Sequence, residues 1–452
     1  MDSKLPTVRK VTHRRDLHLR LRRYRHVSLS RRVWQRRIIF LTGAILIGLA
    51  AVGFAELADK SQDLYYEILK RWQWLPILMT PLGFAVLAYI TARWFPAAAG
   101  SGIPQVIATR KSKNFAFRNR LLGWPTMIAK VIMTSLALVV GGSVGREGPT
   151  VQIGASVMHA VAGFAGIGRH NGLVLAGSAA GIAAAFNAPI AGILFAIEEL
   201  AKSYAGRINE LVIASVAISG GVGWLLIGDY AYFGEVSAKM INPADWVAVP
   251  ICAVVGGIMG GIFSRSLVTL TLRPPPFVKS LRRNPALFAA ICGLIVAVLS
   301  IATAGYASGN GYHETRAGLV LGEHIPYWYG PSKLITTLLS SASGIPGGLF
   351  SPSLAVGTGL GSMLTPIFTF IDPRALMLLM TVGYFAAVVQ APLTAVVIVM
   401  EMTTDSSMVI PLMATALLAA GISRLIHREP LYHALSHGYV PSALDIKNDE
   451  KK

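Results

Sequence analysis

Shifting the chain by 203 positions against itself aligns two long segments without a gap. Lys130 falls on Lys333, Gly141 on Gly344, Gly145 on Gly348, Pro149 on Pro352 and Gly154 on Gly357. Further on, Ala183 and Ala184 meet Ala386 and Ala387, Ala188-Pro189 meets Ala391-Pro392, and Glu198 meets Glu401. Chance supplies two or three such matches, not the set. Paired halves with Gly/Pro interruptions at matching places are the pattern of proteins whose repeats meet at a site near the bilayer midplane, so the breaks locate the site.

The halves are built for a membrane. Hydrophobic residues fill 53% of the 452 positions and charged residues only 14%, which points to an all-α polytopic membrane protein. Apolar runs begin near Ile38, Leu75, Thr126, Gly172, Leu211, Trp246, Ala286, Leu334, Ala375 and Met408. Several suffice for a hydrocarbon core of about 30 Å, while others are short or broken, so a count of runs overstates the full spans. The halves are expected at about 38–228 and 245–426, and the basic, proline-rich stretch 271–284 (TLRPPPFVKSLRRN) is expected to be a loop.

Charge sets the sidedness. Residues 1–37 carry thirteen Lys or Arg against Asp2 and Asp16, so +11 of the net +19 lies there. This basic tail is expected in the cytoplasm, with the loops around Arg110, Lys111, Lys113, Arg118 and Arg120 and around Arg273, Lys279, Arg282 and Arg283; the connection from Asp229 to Asp245 belongs on the other side. Abutting a span and poor in aromatics, the tail reads as a topology signal with a possible lipid contact, not as a nucleic-acid site. Nothing in it resembles a cleavable signal peptide. Residues 441–452 form a second expected cytoplasmic tail. Cys252 and Cys292 lie in apolar runs, and no metal-ligand spacing or cofactor motif appears.

Three glycine-rich breaks precede helix-forming sequence: GSGIPQ (100–105), GREGPT (145–150) and GIPGGLFSPS (344–353). A helix start exposes about four unpaired N–H groups and about half a positive charge, and glycine lets a ligand approach them. Several starts aimed at one point would hold a dehydrated anion without a fixed cation. Taken singly, each break is better read as a tight turn or a packing site; it is the set of three that favours a binding site. Ser101 adds a hydroxyl, which serves equally as an N-cap.

Glu147 is itself an anion at such a start. It can compete with a transported anion for the same donors, and protonation would vacate the place while loading one proton. An ion pair with Arg146 is the weaker reading, because adjacent helix side chains diverge. Arg146 and Lys130 are expected to raise the local potential for anions, or else to cap carbonyls. In FNAPIAGILFAIEEL (186–200), Glu198 has the repeat mate Glu401 and is expected to serve a helix end. Glu199 faces Met402 and breaks the symmetry, which makes it the candidate proton entry.

These residues resemble the CLC family of chloride channels and chloride/proton antiporters: GSGIP, GREGP, GIPGGLFSP and the later PLY (430–432) occur in the family's order from about residue 38 to 440. The resemblance implies a CLC-type inverted repeat of tilted and broken helices, forming a homodimer with one anion path per subunit. It further implies that Ser101 and Tyr432 donate hydroxyls to a central chloride, and that the backbone N–H groups of Gly145, Arg146, Glu147, Leu349 and Phe350 hold anions further along. Glu147 would be the outer gating carboxylate and Glu199 the inner proton-transfer carboxylate. The acid at position 199 resembles the antiporters of the family, and serine at 101 resembles its chloride-preferring members. The pattern departs at Gln105 and Ile107, where many members carry acids, and this implies slower or looser proton uptake. The short C-terminus resembles prokaryotic members without nucleotide-sensing domains, which implies a bacterial inner membrane with both termini cytoplasmic.

Chloride/proton exchange is thus the first expectation and passive chloride conduction the alternative. An intramembrane enzyme lacks a nucleophile–base pair, since His159 and His170 have no partner spacing. Without the resemblance, Tyr432 reads as an interfacial anchor, and His427, His433 and His437 as parts of a solvated tail.

Overall fold

A computed structural model of the chain describes residues 31–112, 114–164, 171–201, 210–228, 231–404 and 407–439. Most of the basic tail, Lys113, His170, Asp229 and the expected tail 441–452 lie outside the described residues. In the first half the helices are α1 (Arg31–Arg71), α2 (Pro76–Trp94), α3 (Ile103–Lys111), α4 (Phe115–Leu122), α5 (Trp124–Val139), α6 (Glu147–Phe164), α7 (Asn171–Phe186), α8 (Pro189–Phe195) and α9 (Glu210–Ile227). The second half repeats the series as α10 (Ala248–Leu272), α11 (Pro276–Leu281), α12 (Pro285–Ala302), α13 (Tyr312–Arg316), α14 (Tyr329–Ala342), α15 (Phe350–Ser362), α16 (Pro373–Val389), α17 (Pro392–Thr403) and α18 (Val409–Ile426). A short α19 (Leu431–Ser436) follows. Among the described residues, β pairing is limited to two isolated backbone bridges.

Seven stretches of the described residues are long and apolar enough to cross a membrane, while α7, α16 and α17 are apolar but shorter. The short ones follow from the breaks. Proline in the first turn starts α2, α5, α8, α12, α16 and α17, where its missing N–H costs no helical bond. Polar caps help at two of these starts: Asn284 accepts from the Leu287 N–H at 3.2 Å and Asp372 from that of Arg374 at 2.9 Å.

The packing repeats with the sequence. α6 lies on α7 as α15 lies on α16, α1 on α9 as α10 on α18, and the mates α2 and α12 pack on each other. Small residues set the approach. A methyl on Gly154 would stand 2.2 Å from the Gly177 carbonyl oxygen, and one on its mate Gly357 would stand 2.6 Å from Thr381 Cα, so neither position accepts a side chain without moving a helix.

Two reciprocal contacts reveal the symmetry relating the halves. The mates Gly145 and Gly348 exchange both backbone hydrogen bonds, at 2.8 and 2.7 Å. Glu198 accepts from the Leu393 and Thr394 N–H groups at the start of α17, at 3.3 and 2.7 Å. Its mate Glu401 accepts from Ile190 and Ala191 at the start of α8, at 3.1 and 2.6 Å. Residues 203 apart that serve each other in this way are related by a local two-fold axis. With α1 leaving the basic tail and α10 running toward the basic loop 271–284, the halves cross in opposite senses.

Candidate functional site

The three breaks meet. Gly100 N–H donates to the Ile345 carbonyl at 3.2 Å, and Gly347 N–H donates back to Gly100 at 3.0 Å, which ties the first break to the third. The Gly145–Gly348 bridge ties the second to the third. A methyl on Gly148 would lie 2.4 Å from Ser101 Oγ and 3.3 Å from Gly348 Cα. Only glycine lets three backbones come so close, and the starts of α3, α6 and α15 therefore converge. The first helical bonds run from Thr150 to Arg146 in α6 and from Ser353 to Leu349 in α15, each at 3.0 Å, so the N–H groups of Arg146, Glu147 and Phe350 precede the ladder. Gly145 is a correction: its N–H, expected to face an anion, is committed to the Gly348 carbonyl, because the two-fold axis pairs these segments.

Ser101 and Tyr432 line the centre. Tyr432, in the first turn of α19, stacks on Phe350, with ring centroids 6.0 Å apart at 27°. Both hydroxyls are buried, and among the described residues neither has a hydrogen-bond partner. Two O–H donors beside helix starts suit an anion and offer little to a cation. Tyr432 is fully buried, so it is no interfacial anchor.

Four side chains fix the loop that carries Ser101. Lys130 Nζ donates to the carbonyls of Gly100 at 2.7 Å and Ala99 at 3.4 Å. Gln105 Nε2 reaches Ala99 at 2.6 Å and Ala97 at 3.1 Å, Gln152 Nε2 reaches Ala97 at 3.2 Å, and Tyr439 OH reaches Ala99 at 3.0 Å. Every one of these bonds ends on a carbonyl, turning acceptors away from the centre. Lys130 thus caps carbonyls, the structural alternative weighed for it. Gln105 does what an ionised acid cannot, since a carboxylate has no proton to donate.

Glu147 is fully buried at the start of α6. Its Oε1 accepts from Ser351 Oγ at 2.6 Å and Tyr232 OH at 3.3 Å, and its Oε2 curls back to within 2.4 Å of where a methyl on Gly145 would sit. Arg146 is 4.0 Å away at Nε but binds Asp59 at 2.6 Å and the Ala55 carbonyl at 2.7 Å, so its main partner is on α1. Tyr232 and Asp59 carry no sequence signal of the kind used above. Ser351 was within reach, as a hydroxyl in the first turn after the third break; Tyr232 and Asp59 lie in a connection and a polar helix end without pattern.

Glu199, 1% exposed, lies in a π-helical turn, Ala196–Ala201, that continues α8. His433 Nε2 stands 2.8 Å from its backbone oxygen and 3.9 Å from its carboxylate. Here the expectation of a solvated tail fails for His433: α19 folds back into the protein and buries it, because Tyr432 and Leu431 pack inward. His427 and His437 bond to Glu429 at the surface as expected. His159 is buried against Phe115, a structural position.

Two cavities approach the centre. One of about 310 Å³, lined by Asp59, Gln62, Arg146, Tyr232 and His313, reaches the residues around Glu147. The other, about 270 Å³ and lined by Ser101, Leu349, Arg282 and Tyr439, opens near the basic loop. Ser101 and Glu147 therefore lie between two approaches, called outer on the Arg146 side and inner on the side of the basic loop.

The family model described as voltage gated chloride channel matches residues 82–424. Among solved structures, the chain is similar to a slow cyanobacterial Cl−/H+ antiporter, with 22% identity, a TM-score of 0.77, and 90% of this chain and 98% of that one covered. It is also similar to a CLC-type fluoride/proton antiporter, at 20% identity and a TM-score of 0.72, covering 88% of this chain and 97% of that one. A eukaryotic CLC transporter aligns at 20% identity and a TM-score of 0.70, over 89% of this chain and 74% of that one. At such identities the likeness to these structures is one of fold.

Proposed function

This chain belongs to the voltage gated chloride channel family, and from that premise we propose that it exchanges chloride for protons across the membrane. The observation that carries the reading is the buried Glu147 carboxylate at the meeting of the three helix starts. An anion passing from Ser101 and Tyr432 toward the outer cavity has to take the place of this side chain. Protonation removes the competing charge, so one residue links the two ions. Glu199, buried beside His433 and matched in the repeat by Met402, supplies the inner proton transfer. Backbone and hydroxyl donors, with Arg146 committed to Asp59 and Lys130 to the loop carbonyls, bind chloride loosely enough for turnover. Two copies pair, each with its own path, in a bacterial inner membrane with both termini cytoplasmic.

Passive conduction is the second reading, favoured by Gln105 and Ile107, which are buried and offer no carboxylate beside the inner route. Purified protein in liposomes decides. A chloride gradient is expected to drive protons uphill, Glu199→Gln to stop proton flow while chloride still moves, and Glu147→Gln to uncouple the two. Chloride movement in wild type without proton pumping makes it a channel.

A further inference from the structure

We propose that the hydroxyls of Tyr232 and Ser351 form a latch on Glu147, and that opening this latch limits the rate at which anions pass. The proposal rests on the reading of Glu147 as the gate. Both hydroxyls reach the same oxygen, Oε1, at 3.3 and 2.6 Å, and lie 3.3 Å from each other. Each carries one proton. A carboxylate can accept from both at once, and then no proton remains between the hydroxyls themselves. Among the described residues, Oε2 is buried without a hydrogen-bond partner. The side chain is therefore tied down through one oxygen by donors from two elements: the first turn of α15, and the connection between α9 and α10.

Tyr232 is positioned for this and cannot drift. Its ring meets Phe233 at 5.0 Å, Tyr312 at 5.2 Å and Phe186 at 5.7 Å, all edge-on, and the Arg146 guanidinium lies 5.8 Å from its centroid. It is 2% exposed and stands in the wall of the outer cavity, between that cavity and Glu147. For the carboxylate to yield its place, both donors must be released. Hydrogen bonds to an ionised acceptor are the strong ones, and protonating Glu147 removes that charge. The latch is thus firm on the ionised gate and weak on the loaded one. It is also one-sided: the repeat mate of Ser351 is Gly148 and that of Glu147 is Phe350. The other charged and titratable groups at this corner are Arg146, Asp59, Glu56 and Asp63, with Tyr312 and His313 from α13.

The test is chloride efflux from liposomes loaded with Tyr232→Phe or Ser351→Ala protein, each in the wild-type and in the Glu147→Ala background. Phenylalanine keeps the ring packing and removes only the hydroxyl. Loss of one such bond is expected to raise turnover roughly threefold to tenfold, and to add nothing in Glu147→Ala. An equal gain in both backgrounds would mean that the hydroxyls merely narrow the passage, and would overturn the proposal. So would unchanged or slower efflux in the wild-type background. If wild type moves chloride without protons, exchange fails as a reading, while the dependence on Glu147 still decides the latch.

Discussion

The starts of α6 and α15 share a backbone and differ in what they carry. Each follows a glycine of the bridged pair Gly145–Gly348, and each points its first N–H groups toward the same centre. Yet α6 opens with Arg146-Glu147-Gly148, and α15 with Leu349-Phe350-Ser351 at the matching places. On the proposed reading, the symmetric backbone is the anion cradle, and the asymmetric side chains make one side a titratable gate and the other an apolar wall, Phe350, against which Tyr432 stacks. Repetition would then suffice for binding, whereas coupling needs the symmetry broken.

The comparison is sharpest at the bridged glycines. A methyl on Gly348 would lie 2.9 Å from the Gly145 carbonyl oxygen and 3.0 Å from Gly148 N, both backbone, whereas on Gly145 its nearest neighbour, at 2.4 Å, is the movable Glu147 Oε2, with Pro352 Cδ at 3.0 Å. Gly348→Ala is expected to cost about 3 kcal/mol or more through overpacking, and Gly145→Ala less, while altering gating. Thermal unfolding in detergent together with chloride flux separates the two, and equal losses would break the argument.

Next in size come the mates Lys130 and Lys333. Lys333 Nζ donates to Ser308 at 2.6 Å, Gly309 at 2.8 Å and Ala307 at 3.4 Å. Lys333→Met strips the ammonium from three buried carbonyls and is expected to cost about 2–4 kcal/mol. Lys130→Met is expected to cost less, because Gln105 and Tyr439 still donate to Ala99. Unfolding midpoints of the two variants check the order.

Glu198 and Glu401 keep the symmetry, so Glu198→Gln and Glu401→Gln should weaken the fold by similar amounts, about 1 kcal/mol each, and leave the proton-to-chloride ratio alone. Glu199→Gln should do the reverse. A change of ratio in Glu401→Gln would undo the division between structural and functional acids. The smallest effect is expected from Gln105→Ala, which loses two bonds to a loop held by three other side chains; a modest fall in apparent chloride affinity, seen in flux against chloride concentration, is the readout.

Much of this was legible in sequence. The 203-residue offset foretold that the halves meet at the breaks and that Glu198 and Glu401 share a helix-end role, because a repeated pattern of Gly and Pro repeats the helix breaks. The three breaks marked the centre for the same reason. His433 was misread, since a short polar segment after the last span carries no periodicity to show that it folds inward. Ser351 and Tyr232 were missed because a lone hydroxyl has no pattern until its partner is known.

The sequence by itself determined that this chain crosses a membrane as two related halves, because hydropathy and the period of the breaks are properties of the chain alone. Only the tertiary structure decided that Gly145 spends its N–H on Gly348, that Arg146 turns to Asp59, and that Tyr232 reaches Glu147 across 85 positions. Hydrogen bonds between distant segments depend on which donors and acceptors the folded backbone brings within about 3 Å, and no local pattern encodes that distance.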